Sequence, residues 1–241
     1  MNIYTIGDLH LSMAVDKPMD IFGDKWANHQ EKLTEYWKKS VKEEDLVIIP
    51  GDISWGMTPE EALPDLIYIE ELPGKKVLLK GNHEYWWGTM NKLKELKSTY
   101  KLDSIEFLHN NYIYIEEKDL CLCGTRGWKC PGGWDSTAFS EQDNKIYLRE
   151  MQRLELSLKA GCEKSENIIC FTHFPPFNNK AESSGFTDLM EKYKVKQCFY
   201  GHLHGPSLKY AFNGKISEGT VTEYHLVSGD YLGFNPLRII V

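Results

Sequence analysis

Five short apolar runs, each ending in a polar turn, constrain the fold of this chain most strongly. The run "NIYTI" leads to "GDLH", "LVIIP" to "GDIS", "KVLLK" to "GNHE", "NIICF" to "THFPP" and "KQCFY" to "GHLH". Continuous apolar runs of this length are typical of strands buried on both faces. In open α/β sheets, ligands bind outside the carboxyl ends of such strands. The pattern therefore predicts a mostly parallel sheet whose polar turns meet at one edge.

Helical patterns lie between several of these runs. Apolar residues recur at helical spacing over residues 26–41. The text "TPEE" predicts a capping box, with Thr58 as the N-cap and Glu61 reaching back to the cap. Ser140 is the predicted cap of a second long helix, which Gly161 should end. Alternating strands and helices favour an α/β fold.

The remaining strand signals exceed what one doubly wound sheet needs. Residues 112–123 read as a hairpin, and residues 215–241 read as two or three further strands without helices. We therefore expect an α/β fold with four layers, in which two mixed β-sheets pack face to face in an α/β/β/α sandwich flanked by helices. A chain of 241 residues is long enough for one such domain, predicted to span 1–241.

Composition excludes several classes of protein. The formal charge of −7 argues against a general nucleic-acid binder. No apolar stretch approaches the roughly 20 residues of a membrane span, and the N-terminus "MNIYTIGDLH" has no signal-peptide pattern. We expect a cytoplasmic protein without a membrane partner, and the sequence makes no prediction of its oligomeric state.

The six cysteines contain no C-x-x-C pair and fit a reducing compartment. Cys170 and Cys198 lie in apolar runs and should be buried thiols. Cys121 and Cys123 share one face of a predicted strand. They are either packed side chains, which we favour, or a redox or metal pair.

Five of the eight histidines lie in the polar turns, together with two aspartates and one asparagine. This mixed oxygen and nitrogen set suits manganese, iron, zinc or nickel and suits calcium poorly. A single histidine beside an apolar run is usually structural, but five at successive strand ends indicate a metal site. The set comprises Asp8, His10, Asp52, Asn82, His83, His173, His202 and His204.

The ordered motifs "GDLH", "GD", "GNHE", "TH" and "GHLH" span residues 7–205 and resemble those of the calcineurin-like metallophosphoesterases. The resemblance implies a sandwich of two mixed sheets and two divalent metal ions. It implies that Asp52 bridges both ions and that His83 is not a ligand but contacts the phosphate and protonates the leaving oxygen. The implied ligands of one ion are Asp8, His10 and His204, and those of the other are Asn82, His173 and His202.

The implied chemistry explains these residue types. Two cations about 3.5–4 Å apart can polarise one phosphoryl group and share a hydroxide that attacks in line. A general acid such as His83 typically adds 10²–10⁴-fold in rate. Glu84, which follows His83, is a candidate for orienting its imidazole.

Departures from the family pattern narrow the substrate. The text "GDISWG" lacks the Asp-Arg-Gly extension of phosphoprotein phosphatases, which disfavours that activity. Ser54 and Trp55 stand where many cyclic-nucleotide phosphodiesterases carry an acid, which weakens that interpretation too. We expect a small phosphorylated substrate. The alternatives are a metal-dependent nuclease, which the negative charge disfavours, and a metal-free scaffold, which the complete ligand set disfavours.

Secondary candidates lie around these motifs. Arg126, in a Gly-rich turn, could bind substrate phosphate or only stabilise its loop. Arg149 and Arg153 are four apart on the predicted long helix and should form a solvated face. His29, His109 and His225 match no motif and are expected to be structural or surface residues. The tryptophans predicted in or near the mouth of the site are Trp55, Trp86, Trp87, Trp128 and Trp134, with core packing favoured for Trp86 and Trp87.

Overall fold

The first of two five-stranded sheets is built from the N-terminal half of the chain and its last strand. The computed structural model describes residues 1–133 and 139–241. The strand order is β10-β1-β2-β3-β4, and β10 alone runs antiparallel, against β1. The strands are β1 (Ile3–Thr5), β2 (Leu46–Pro50), β3 (Lys75–Leu79), β4 (Ile105–Leu108) and β10 (Leu237–Ile239).

The second sheet is built from the C-terminal half of the chain. Its order is β5-β6-β7-β8-β9, and only β5 is antiparallel to its neighbour. The predicted hairpin is thus confirmed as β5 and β6, and the tail supplies two strands, β9 and β10. The strands of this sheet are β5 (Tyr112–Ile115), β6 (Leu120–Thr125), β7 (Ile168–Thr172), β8 (Gln197–Tyr200) and β9 (Glu223–Leu226).

Helices cover the outer face of each sheet. Leu33, Leu66 and Leu93 pack three helices onto the first sheet, and Leu154 and Phe186 pack two onto the second. A third apolar cluster fills the space between the sheets. The predicted α/β/β/α sandwich is therefore confirmed. The helices are α1 (His29–Ser40), α2 (Pro59–Glu71), α3 (Met90–Tyr100), α4 (Glu141–Cys162) and α5 (Gly185–Lys192).

Two predicted helix signals need correction. Thr58 does accept a hydrogen bond from the Glu61 N–H (3.3 Å), but the Glu61 carboxylate accepts from Met57 rather than from the cap (2.8 Å). Ser140 and Asp143 form the full capping box of α4. Gly161 does not end that helix. It lies inside the last turn, where a Cβ would collide with the Cys123 sulfur.

The cysteine pair on β6 is part of the packed core. Cys121 and Cys123 are both fully buried under α4, and all six cysteines of the chain are unpaired. Burial raises the pKa of the Cys123 thiol to about 12, so it is not a ready thiolate. Cys170 and Cys198 are buried as predicted. Within residues 1–133 and 139–241, no helix is both long and apolar enough to cross a membrane.

Candidate metal centre

The carboxyl ends of five parallel strands bring the predicted site residues to one edge of the sandwich. Contacts between side chains or between a side chain and the backbone link all eight residues into one cluster. The residues are Asp8 and His10 after β1, Asp52 after β2, Asn82 and His83 after β3, His173 after β7, and His202 and His204 after β8.

Four of these residues adopt left-handed backbone conformations. The φ angles are 53° at Asp8, 47° at His10, 50° at Asp52 and 72° at His202. Such angles are unfavourable for residues with a side chain and persist where the surroundings enforce them. Here the Asp8 carboxylate accepts the N–H of His202 at 2.9 and 3.0 Å, and His10 N–H donates to the Asp52 carbonyl at 2.9 Å. The loops therefore hold one another in the geometry that aims these side chains inward.

Two glycines are needed because the loops approach so closely. Gly51 has φ of 93°, and a Cβ there would lie 2.7 Å from the His173 ring. A Cβ at Gly201 would lie 2.6 Å from the Asp8 carboxylate. Neither position has room for a side chain, which accounts for the Gly-Asp and Gly-His pairs of the motifs.

Two triads of acidic and imidazole groups could each hold a metal ion. One is Asp8, His10 and Asp52, and the other is Asp52, His173 and His202. Within each triad the potential ligand atoms all lie within 4.8 Å of one another. Asp52 belongs to both triads, so its carboxylate lies between them.

The two remaining predicted ligands lie beside the triads. Asn82 Oδ1 is 2.7 Å from His173 Nε2, and the His204 ring centroid is 5.2 Å from that of His10. His173 Nδ1 lies 3.1 Å from the Pro50 carbonyl. Because a carbonyl only accepts, Nδ1 carries the hydrogen of that bond. This bond fixes the ring so that Nε2 faces the cluster.

Unpartnered buried atoms indicate that the cluster is built for a cation. Both ring nitrogens of His10 and Oδ2 of Asp52 are buried and form no hydrogen bond within the described part of the chain. Buried polar atoms are usually paired, and a buried unpaired carboxylate oxygen is costly. A divalent ion of the borderline class would satisfy these oxygen and nitrogen donors together, so the residues present fit the metal that their chemistry implies.

Burial shifts the pKa of most groups in the cluster. It raises the pKa of the Asp8 carboxyl to about 7 and lowers that of the His10 and His202 imidazoles to about 3. Burial also lowers the pKa of His173, but the carboxylates of Asp52, Asp8 and Glu84 outweigh it and raise the pKa to about 9. The neutral imidazoles of His10 and His202 therefore have lone pairs available for a metal ion, and a bound cation would stabilise the charged carboxylates.

Glu84 does not orient the His83 imidazole, contrary to the expectation. Its carboxylate is buried and accepts backbone N–H groups from Asp52 (3.0 Å), Ile53 (2.6 Å) and Gly81. The short turn after β3 directs the side chain back under the neighbouring loop. Glu84 therefore joins the loop that carries Asp52 to the loop that carries Asn82.

His83 lies at the rim of the cluster. Its main-chain N–H donates to Asp52 Oδ1 (3.0 Å), and its ring Nε2 is 3.9 Å from Asp52 Oδ2. The side chain is 28% exposed, so it can meet a ligand from solvent. Trp55 packs beside it, with ring centroids 4.2 Å apart, and also stacks on His10 at 5.0 Å. Trp55 therefore packs against both histidines and lies at the edge of the site beside His83.

Arg126 lies beside the cluster and not within it. Its main-chain carbonyl accepts the N–H groups of His173 (3.1 Å) and Phe174 (2.9 Å). Its guanidinium lies 3.3 Å from Glu150 and over the ring of Trp128. Its binding of substrate stays a prediction.

The expected solvated face of α4 is wrong in part. Arg153 NH1 donates to the buried Glu150 carboxylate at 2.7 Å, and Arg149 Nε lies 4.0 Å from it. Both arginines line the same cavity as Arg126.

The other aromatic and imidazole candidates are mostly structural. Trp86 and Trp87 are buried in the core, as favoured, and Trp128 packs against Phe174. Trp134 lies outside the described residues. His29 packs on Trp26, His109 lies near Trp87, and His225 stacks on Phe199.

One residue of the site was missed in the sequence. Asp230 is 1% exposed, accepts the N–H of Gly205 (2.8 Å) and leaves Oδ1 buried without a partner among the described residues. Burial lowers the pKa of the adjacent His204, and Asp230 opposes this shift. The run "LVSGD" repeats the pattern of an apolar run followed by Gly-Asp, and that signal could have identified it.

A family model settles the classification. The model for calcineurin-like phosphoesterases matches residues 1–206. The chain belongs to the calcineurin-like phosphoesterase family. This family's enzymes are phosphohydrolases that normally bind divalent metals, in agreement with the two triads.

Individual relatives within the calcineurin-like phosphoesterase family are distant. A protein described as a probable cyclic nucleotide phosphodiesterase of Xenorhabdus bovienii is 24% identical over 240 residues, covering 95% of this chain and 89% of that protein. The gene 66 protein of Mycobacterium phage D29 is 38% identical over 84 residues, which cover 34% of this chain and 40% of the phage protein. The crystal structure of phosphopantetheinyl hydrolase from Mycobacterium tuberculosis superposes with a TM-score of 0.55 at 13% identity, covering 99% of this chain and 95% of that one. This likeness shows the shared fold.

Proposed function

We propose that the chain is a dinuclear metal-dependent phosphoesterase that hydrolyses a phosphomonoester or phosphodiester bond of a small substrate. The observation that carries this proposal is the position of Asp52. Its carboxylate belongs to both candidate metal triads, and its Oδ2 is buried without a hydrogen-bond partner in the described part of the chain. A single carboxylate shared in this way suits two cations held close together.

The proposed ligand sets agree with the observed neighbours. Asp8, His10 and His204 would hold one ion, and Asp52 would be shared. The contacts of His10 with Asp52 (3.7 Å) and with the His204 ring support this set.

Asn82, His173 and His202 would hold the other ion, also with Asp52. His173 Nε2 lies 2.7 Å from Asn82 Oδ1, 3.3 Å from His202 Nδ1 and 3.4 Å from Asp52 Oδ2, so one ion could replace all these close approaches. The donor types suit manganese, iron, zinc or nickel.

When bound, such ions polarise the phosphoryl group and lower the pKa of water between them. The chain supplies the rest of the site. The loops fix the donor atoms through backbone hydrogen bonds, and Trp55 limits the movement of His83. Preorganisation of this kind spares the site the cost of rearranging during the reaction.

We assign His83 as the general acid that protonates the leaving oxygen. Its side chain is 28% exposed at the rim, and it lies next to Asp52 and not between the ligand atoms of a triad. Burial lowers the pKa of free His83, with Asp52 opposing the shift. A bound phosphate anion would raise that pKa again and so favour the protonated form that a general acid needs.

The substrate is proposed only by class. The relative described as a probable cyclic nucleotide phosphodiesterase supports a diester as one possible substrate class. Against a cyclic nucleotide, Trp55 beside His83 stands where the resemblance to such enzymes leads us to expect an acidic residue. All six thiols are unpaired, which supports a reducing cytoplasmic location.

Hydrolysis assays of the metal-loaded protein test the proposal. We expect 4-nitrophenyl phosphate or bis(4-nitrophenyl) phosphate to be cleaved, and a chelator to abolish cleavage. Asp52→Asn should lower activity by orders of magnitude and reduce metal content, whereas the exposed control Asp103→Asn should change neither. A variant Asp52→Asn that keeps both metals and near-normal turnover would contradict the bridge. Cleavage of single-stranded DNA but of neither ester would favour a nuclease, and absence of bound metal would favour a scaffold.

A further inference from the structure

A strongly cationic cavity adjoins the candidate metal centre in a chain of net charge −7. It has a volume of about 490 Å³ and lies between α3 and α4, below the ends of β3, β4 and β6. This size falls in the range of small-ligand sites. We call it the basic pocket. Its charged lining consists of Lys80, Lys92, Arg126, Arg149, Arg153 and Glu150.

The basic pocket has far more positive than negative charge. Three of the four arginines in the chain line it, together with two lysines, and Glu150 is the one carboxylate among its lining residues in 1–133 and 139–241. His109 also lines it, and burial and Arg153 lower its pKa, which keeps it neutral. Like charges brought this close repel one another unless an anion compensates them.

Glu150 compensates only part of this charge. Its carboxylate accepts the Thr125 hydroxyl and Arg153, each at 2.7 Å. It also accepts from Arg126 at 3.3 Å and lies 4.0 Å from Arg149, so its one negative charge faces three guanidinium groups. Arg126 Nε is shielded from solvent and has no hydrogen-bond partner among residues 1–133 and 139–241.

Two lysines and the N-terminus of α3 add to the positive potential of the basic pocket. Lys80 and Lys92 form no ion pair with a carboxylate in the described part of the chain. Thr89, the N-cap of α3, also lines the cavity, so the positive end of that helix faces it. Arginine forks and helix N-termini are the groups that bind phosphate in proteins.

Two lining residues of the basic pocket are linked to the metal centre through the backbone. Lys80 lies two residues before Asn82, and the Arg126 carbonyl accepts the His173 N–H. We propose that the basic pocket binds a phosphate group other than the one attacked at the metal centre. That group belongs either to the substrate, which then carries two phosphates, or to a free phosphate ion. Only the first source rests on the proposed phosphoesterase function.

The four arginines permit a direct test of binding. In ¹⁵N-labelled, zinc-loaded protein they give four Nε–Hε resonances. Three come from the basic pocket, and the fourth comes from Arg238, at an exposed position of β10. Sulfate is the probe, titrated against chloride at constant ionic strength. We expect the signals of Arg126, Arg149 and Arg153 to shift and saturate while that of Arg238 stays in place. Shifts that do not saturate, or equal shifts of Arg238, would overturn the proposal.

Substitutions link the shifts to the pocket. Arg149→Gln should weaken sulfate binding at least about tenfold, since it removes a charged hydrogen-bond donor. Arg238→Gln removes the same charge elsewhere and should leave binding unchanged. Arg153 supports the buried Glu150, so its loss could impair folding. Lys92→Gln, at an exposed position of the cavity rim, serves as the second variant. Binding that neither Arg149→Gln nor Lys92→Gln weakens would refute the assignment.

A matched substrate pair distinguishes the two sources. Alkyl phosphates are compared with alkanediol bisphosphates of the same chain length, from two to six carbons, by phosphate release. The pocket is assigned to the substrate if one bisphosphate has a higher kcat/KM than the alkyl phosphate of the same length. The ratio of these two values should fall about tenfold in Arg149→Gln and stay unchanged in Arg238→Gln. Saturable sulfate binding without this preference assigns it to a free anion. If neither compound is hydrolysed, the proposed function fails, while the resonance titration still decides the anion site.

Discussion

The buried carboxylate of Glu84 gives the sharpest test of how the site is held together. It accepts four main-chain N–H groups on two different loops, from Gly81, Asp52, Ile53 and Ser54. Each carboxylate oxygen accepts two of these N–H groups, so in Glu84→Gln the amide oxygen can keep one pair of them. The amide NH₂ then faces the other N–H donors, so two charged hydrogen bonds are lost.

The cost can be worked from these bonds. Hydrogen bonds to a charged group contribute about 1.5–3 kcal/mol each, so two lost bonds would cost about 3–6 kcal/mol. Burial of the carboxylate itself is unfavourable, and removal of the charge recovers part of this loss. We expect the free energy of unfolding to fall by about 2–4 kcal/mol. Because Glu84 fixes the loops of Asp52 and Asn82, metal affinity should also fall about 10–100-fold.

Two measurements check this expectation. Urea unfolding of the metal-free protein at pH 8 gives the stability change, and competition with a chromophoric chelator gives the change in metal affinity. The exposed Glu95 of α3 offers a matched control, since Glu95→Gln should stay within about 0.5 kcal/mol of the wild type. A Glu84→Gln protein with unchanged stability and unchanged metal affinity would refute the role of this carboxylate as the link between the loops.

Three further predictions follow from the site and its scaffold. His83→Ala should keep its metals and lower kcat by about 10²–10⁴-fold, with a larger loss on an alkyl than on an activated aryl ester; His225→Ala is the control, and loss of metal would instead make His83 a ligand. Asp143→Asn should destabilise the protein by about 1 kcal/mol at pH 7, because it removes half of the capping box of α4. Hydrogen bonds from Ser140 lower the pKa of Asp143 to about 2 from its usual 3.8. This stabilisation is therefore complete above pH 3.8 and is lost as the pH falls through 2. A difference in urea midpoint between the wild type and Asp143→Asn that is the same at pH 7 and pH 3 would contradict the prediction. All six cysteines should be alkylated without reductant after unfolding, and mass spectrometry that finds a disulfide would exclude the expected reducing location.

The fold and the cluster could be predicted because their signals are local. Each predicted ligand follows an apolar run that forms a strand, and parallel strands end at one edge. The same short motifs contain Gly51 and Gly201, the glycines that the left-handed turns and close loop contacts require. Neighbouring residues in the chain therefore carry the information that places the ligands.

Features that depend on distant residues were not predictable in this way. Nothing in the local sequence shows that the turn after His83 sends the Glu84 carboxylate to the Asp52 loop, 32 residues away. The spacing of Arg149 and Arg153 suits a solvated face, but Glu150 between them is turned inward to Thr125 on β6. Such contacts are decided by which helix packs over which strand, and that information is spread over the whole chain.

Anomalous diffraction from crystals of the metal-loaded protein tests the central claim most directly. We predict two peaks per chain at the absorption edge of the bound metal, both within coordination distance of the Asp52 carboxylate. One ion should contact His10 and the other His173. A map with a single peak, or with two peaks of which one lies away from Asp52, would contradict the dinuclear centre.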